Sequence, residues 1–188
     1  MRWRWRQSQI LGWEAPPPVC QICLVAGLCF MTSIFFRLSL RPARTLRAGT
    51  PAQELHADLS RQSEDAPLIG FIVMIDSFWE ENGATRFVPT SHKWIDLPSD
   101  RLSDTRDKCS GEVLGCGDRG SMIIFNGAIW HGHTANVTSD PRRSIQGYFV
   151  RRTARSGMDF SNHITPATHL HMSSFAHYLL ALDKSRIG

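Results

Sequence analysis

No disulfide framework can be drawn from this chain. It has five cysteines in 188 residues, three of them (Cys20, Cys23, Cys29) in one apolar stretch and two (Cys109, Cys116) near a glycine-rich turn. Such usage predicts reduced thiols in a reducing compartment, the cytoplasm. Internal repeats and low-complexity runs are also missing, which excludes solenoids and collagen-like or fibrous chains. Apolar residues make up 42% and charged residues 20%, a globular balance with room for one ordinary domain. The basic surface that a nucleic-acid binder needs is absent from most of the chain. Residues 1–50 hold 7 basic and 1 acidic residue, whereas residues 51–188 hold 14 and 16. The bulk is slightly acidic, so the sequence pI near 9.0 gives no support to a nucleic-acid partner.

The first 47 residues stand apart in composition and are set off from a domain over 48–188. They open Met1-Arg2-Trp3-Arg4-Trp5-Arg6, pass through Pro16-Pro17-Pro18, and run almost wholly apolar over 19–36. Three prolines before the run, and no small-x-small site after it, argue against a signal peptide. Eighteen apolar residues sit at the lower edge of what can span a bilayer, roughly 20 being typical. A buried core element is expected first, with a membrane anchor and an N-terminus not native to the domain as the alternatives.

The rest reads as short strands between turns. Leu68 to Ile75 is apolar on both faces, which predicts a buried central strand. Asn82-Gly83 marks a turn before the strand Thr85–Val88. Residues 95–118 are polar and read as a long surface loop of the kind that forms a lid. Ser121 to Phe125 is a second buried strand, and Arg142 to Arg152 alternates as a third. Helical spacing is confined to Ser173–Lys184, with Phe175, Tyr178, Leu179 and Leu182 on one face. The pattern predicts a mainly β sandwich or barrel with peripheral helices.

Chemistry concentrates at His56-Ala57-Asp58. On a strand, side chains two apart share a face, so an imidazole and a carboxylate project together and make half of a metal site. The third ligand must come from elsewhere, and Trp130-His131-Gly132-His133 offers two histidines. Two imidazoles and one carboxylate on one face of an octahedron leave positions open for a co-substrate and O₂, which suits non-haem Fe(II).

Four ordered blocks carry a resemblance. They are Gln53 to Asp58; Asp76 with Glu81 to His92; Trp130 to Asn136; and Pro141-Arg142-Arg143. Together they resemble the phytanoyl-CoA dioxygenase family over residues 48 to about 152. The resemblance implies a double-stranded β-helix (jelly roll), here short of its first strands. It also implies an oxygenase that uses Fe(II), 2-oxoglutarate and O₂ to hydroxylate or otherwise oxidise a small organic molecule, with decarboxylation of 2-oxoglutarate to succinate. His56, Asp58 and His131 match the family's metal ligands. Arg142 matches the arginine that holds the far carboxylate of 2-oxoglutarate. A guanidinium fork suits that task, and Ser144, two residues on, can share it while Arg143 points away. Gln53 and Thr85 match positions that contact the co-substrate, and His133 stands beside it as the rival third ligand. Asp58 favours hydroxylation, because halogenating relatives carry a small residue there. Thr90 departs from the glycine usual at its position in the family.

Two other readings compete. A cupin-type metalloprotein would explain His131-x-His133, but no glutamate follows at short range. A truncated or degenerate family member would serve as a non-catalytic binding module. The 95–118 loop carries no readable substrate code, and nothing in the sequence fixes an oligomeric state.

Overall fold

The structure is a computed structural model and describes residues 10–11, 36–40, 43–59, 68–152 and 160–182. The apolar run 19–36 lies outside the described residues except for its last one. Among the described residues no helix is long and apolar enough to cross a membrane.

Two mainly antiparallel sheets make the body, the jelly-roll architecture expected. The first two strands are β1 (Ile10–Leu11) and β2 (Phe36–Leu40), followed by β3 (Arg44–Leu46) and β4 (Leu68–Met74). After them come β5 (Thr85–Val88), β6 (Val113–Gly115), β7 (Met122–Asn126), β8 (Trp130–His133) and β9 (Arg142–Arg151). The larger sheet runs β1-β7-β4-β9-β2, with β3 also paired to β9; the smaller runs β6-β5-β8. All pairings are antiparallel except β1 with β7. β4 is central, as its two-faced apolar pattern requires. β2 and β3 come from the segment set apart on composition, yet both pair with β9.

The core lies between the sheets, where Ile72 and Met74 of β4 meet Phe87 of β5 and Ile123 and Phe125 of β7. A second cluster forms on the outer face of the small sheet. There Leu55, Val88 and Trp130 pack under Trp94, Leu102 and Cys109. β5 and β8 are consequently buried at every residue. Ser91 locks this corner: its hydroxyl donates to the Val88 carbonyl at 2.7 Å and accepts from the Trp130 amide at 2.8 Å. Thr90 beside it sits at φ 67°, the left-handed region that favours glycine.

Two expectations are corrected. Residues 95–118 are not a plain loop, and Leu102 and Cys109 pack on the outer face of the small sheet. The segment contains a helical turn, Pro98–Arg101, and strand β6, and it covers that face. The apolar groups among the polar ones, and the buried Arg86 beneath, hold it there. The C-terminal helix is shorter than its periodicity predicted, Ser174–Leu179, and another, Pro166–His171, precedes it. Thr165 and Ser173 cap them by accepting the Thr168 and Ala176 amides, and a helix this short cannot bury a whole face. Phe175 and Tyr178 remain exposed while Leu182 is buried.

Candidate metal centre

His56 does not sit in a regular strand. It forms a single antiparallel bridge with His131, each amide donating to the other's carbonyl at 3.0 and 2.9 Å. That reciprocal pair places both imidazoles on one side, with ring centroids 4.5 Å apart. Asp58 is held two residues on by its amide, which donates to the Gly127 carbonyl at 2.9 Å. Gly132 makes the crossing possible. A Cβ there would stand 3.0 Å from the carbonyl oxygens of both Gln53 and Glu54. A glycine between the two histidines therefore lets the segment bearing His56 lie flat on β8.

One ligand atom from each of His56, Asp58 and His131 lies within 4.8 Å of the others. His56 Nε2 is 3.9 Å from Asp58 Oδ1, and His131 Nε2 is 3.4 Å from Asp58 Oδ2. The Nδ1 atoms are engaged elsewhere, with the Glu54 carbonyl at 3.0 Å and the Ile129 carbonyl at 2.9 Å. A carbonyl can only accept, so each Nδ1 carries the proton and each Nε2 keeps a lone pair for a metal. Burial pushes His131 below the usual histidine range, which keeps it in the neutral form that ligates. Asp58 Oδ2 is buried with no hydrogen-bond partner. An orphaned carboxylate oxygen facing two unprotonated imidazole nitrogens fits a divalent cation, and the 2N,1O donor set fits Fe(II).

The pocket above this cluster is lined by every other candidate site residue named from the sequence except Ser144, which is not among its lining residues. Gln53 and Thr85 line it, next to His133. The Gln53 amide donates to the His133 carbonyl at 2.9 Å, and Thr85 pairs with His133 across β5 and β8. His133 lies beside the three-residue cluster rather than within it. Its Nδ1 is 2.8 Å from the Thr134 carbonyl, and burial lowers its pKa to about 4. Arg142 is 1% exposed and Ser144 fully buried, with Nη1 3.4 Å from the Ser144 hydroxyl. Arg142 also donates to the Gly83 carbonyl and lies 4.0 Å over the Phe78 ring. Burial first, and repulsion from Arg44 second, lower its pKa to about 10. No ion pair joins Arg142 to an acid among the described residues. A buried guanidinium without an acid partner can grip a carboxylate with both ends of its fork. Arg143 points outward and pairs with Asp76 at 2.8 Å.

Several lining residues escaped the sequence reading. Gln146 and Tyr148 extend the period-two row that Arg142 and Ser144 begin on β9, so alternation could have found them. Phe71, Ile72 and Phe125 read simply as core. Arg44 lines the pocket too, and no local pattern marks it, because its place depends on the register of β3 against β9.

The phytanoyl-CoA dioxygenase (PhyH) family model matches residues 34–144. Among curated proteins, dioxygenase cdmA of Talaromyces verruculosus is 33% identical over 108 residues, covering 53% of this chain and 35% of cdmA. Fe(II)/2-oxoglutarate-dependent dioxygenase nvfF of Aspergillus novofumigatus is 38% identical over 104 residues, 51% of this chain and 32% of nvfF. The chain thus spans about a third of the length of these relatives. Among solved structures, EvdO2 from Micromonospora carbonacea var. aurantiaca superposes with a TM-score of 0.52 at 14% identity, covering 70% of this chain and 62% of EvdO2. The non-haem alpha-ketoglutarate-dependent epimerase SnoN from nogalamycin biosynthesis gives 0.51 at 19% identity, covering 72% and 58%. Both show the same fold.

Proposed function

The chain belongs to the phytanoyl-CoA dioxygenase family, and on that footing we propose that it is an Fe(II)- and 2-oxoglutarate-dependent dioxygenase that oxidises a small organic substrate. The observation that carries this reading is the convergence of His56, Asp58 and His131 in a pocket also lined by a buried arginine that has no acid partner among the described residues. The resemblance of nvfF, whose name specifies both cofactors, supports it.

Bound Fe(II) would supply O₂ activation coupled to oxidative decarboxylation of 2-oxoglutarate to succinate and CO₂, driving oxidation of a substrate C–H bond. His56 and His131 hold the ion through Nε2, each kept in that tautomer by its Nδ1–H bond to a backbone carbonyl. Asp58 contributes the single negative charge of the ligand set. Arg142 and Ser144 take the far carboxylate of the co-substrate and so fix which end meets the ion. Gln53, Thr85 and His133 flank it. Phe71, Ile72 and Phe125 wall the pocket with apolar surface and limit water.

An anaerobic titration with Fe(II) and 2-oxoglutarate, followed by the metal-to-ligand charge-transfer band, tests the site. The band should form in the wild type and vanish in His56→Ala. Aerobic turnover should then convert 2-oxoglutarate to succinate. A wild-type chain that binds Fe(II) without ever giving the band would refute the reading.

A further inference from the structure

The pocket contains a second cation that the proposed chemistry leaves unused. Arg44 on β3 is directly paired with Ser144 on β9, and Leu46 with Arg142. Directly paired residues share a face of a sheet, as do residues two apart. Arg44, Ser144 and Arg142 therefore lie on one face of the sheet, and Arg44 and Arg142 line the pocket together with His131 and His133. Among the described residues the Arg44 side chain makes no hydrogen bond or ion pair. Among the described residues Asp58 is the one acid lining the pocket, and it belongs to the metal cluster.

The charges then decide what is missing, on the reading given under Proposed function. The two charges of the ion, the one of Asp58, the two of 2-oxoglutarate and the one of Arg142 cancel. Arg44, a half-buried side chain, remains uncompensated. A cation held beside another cation, without a counter-ion, persists where a ligand brings the negative charge. We propose that Arg44 receives an anionic group of the primary substrate, so that the substrate class is a singly charged organic acid, with a carboxylate or an equivalent monoanion near the reacting carbon.

Hexanoate and its neutral counterpart hexanamide serve as probes on the full chain loaded anaerobically with Fe(II) and 2-oxoglutarate. Binding is read by calorimetry and by the change each probe makes in the charge-transfer band. Hexanoate should bind at least about tenfold more tightly than hexanamide. Arg44→Gln should erase that preference, and Arg44→Lys should keep part of it. Affinity for 2-oxoglutarate should stay within about twofold in both variants, which also shows that they fold. Equal binding of the two probes to the wild type would overturn the proposal, as would a preference that survives in Arg44→Gln. A large loss of 2-oxoglutarate affinity in Arg44→Gln would overturn it as well, by assigning the arginine to the co-substrate. These failures occur with the wild-type band intact. Absence of that band refutes the oxygenase reading instead and removes this proposal with it.

Discussion

Among the described residues two arginines are almost completely buried, on opposite sides of the small sheet, and they are satisfied in different ways. Arg86, 2% exposed on the outer face, is surrounded by acceptors that the chain itself provides. Nη1 donates to the Asp107 carbonyl at 2.6 Å, and Nη2 to the carbonyls of Thr105 at 2.9 Å and Gln53 at 3.0 Å. Glu112 closes the ion pair at 3.4 Å and also accepts the Cys109 amide at 3.0 Å. Arg142, 1% exposed on the inner side, has one carbonyl, one hydroxyl and an aromatic face, but among the described residues no acid. Burial alone therefore does not mark a functional arginine. Whether the neutralising charge lies within the protein or has to arrive does so.

The two should respond oppositely to removal. Arg86→Met strands Glu112 in an apolar layer and frees the covering loop, and should cost about 3–5 kcal/mol in urea unfolding. Replacing the pair together, with Arg86→Met and Glu112→Leu, should recover much of that loss. If the double variant is no better than the single one, the pair is not what the cost measures. Arg142→Met leaves no acid stranded, so its cost should stay near or below about 1 kcal/mol. Its affinity for 2-oxoglutarate should fall by about 10- to 100-fold while Fe(II) binding changes little. An unchanged 2-oxoglutarate requirement would remove Arg142 from the co-substrate site.

Gly132 tests the seam between the two sides. Ala there would press on two backbone carbonyls that cannot rotate away, moving the His56 segment by a few tenths of an ångström. Metal sites tolerate displacements of that size poorly, and Fe(II) affinity should drop by about tenfold. An unaltered affinity would mean that the segment has slack, and that His56 is positioned by its bridge to His131 alone.

The same contrast explains what could be read from the sequence. Local periodicity located β4, β5 and β9, because each carries its pattern within a few residues. His56 and Asp58 were legible from their spacing, and His131 from its block, with the alternation on β9 separating Arg142 from Arg143. The loop over 95–118 was misread because nothing local shows that Arg86, many residues earlier, gathers its carbonyls. Arg44 was invisible for the same reason, since a strand register of β3 on β9 is a tertiary fact. The cap Thr165-Pro166 was a local signal for the missed helix, with proline at its first position.

The outward neighbour of Arg142 gives the smallest expected effect and a clear sign. Asp76 accepts from the Arg143 amide at 2.8 Å, from Nε at 2.9 Å and from Nη2 at 2.8 Å. The side-chain bond to Arg143 holds the Asp76 carboxyl below the usual carboxylate range. A depressed carboxylate stabilises the fold fully above its unfolded pKa of about 4 and loses that contribution as pH falls through the lower folded value. Asp76→Asn should therefore lower the melting midpoint by about 1–3 °C at pH 7 and by the same amount at pH 5.5. The difference from wild type should shrink only below about pH 4. High salt should reduce it, because Arg143 is exposed to solvent. A gap that widened toward low pH would mean that Asp76 is not ionised against Arg143. The outward grip at the start of β9 would then have some other cause than this pair.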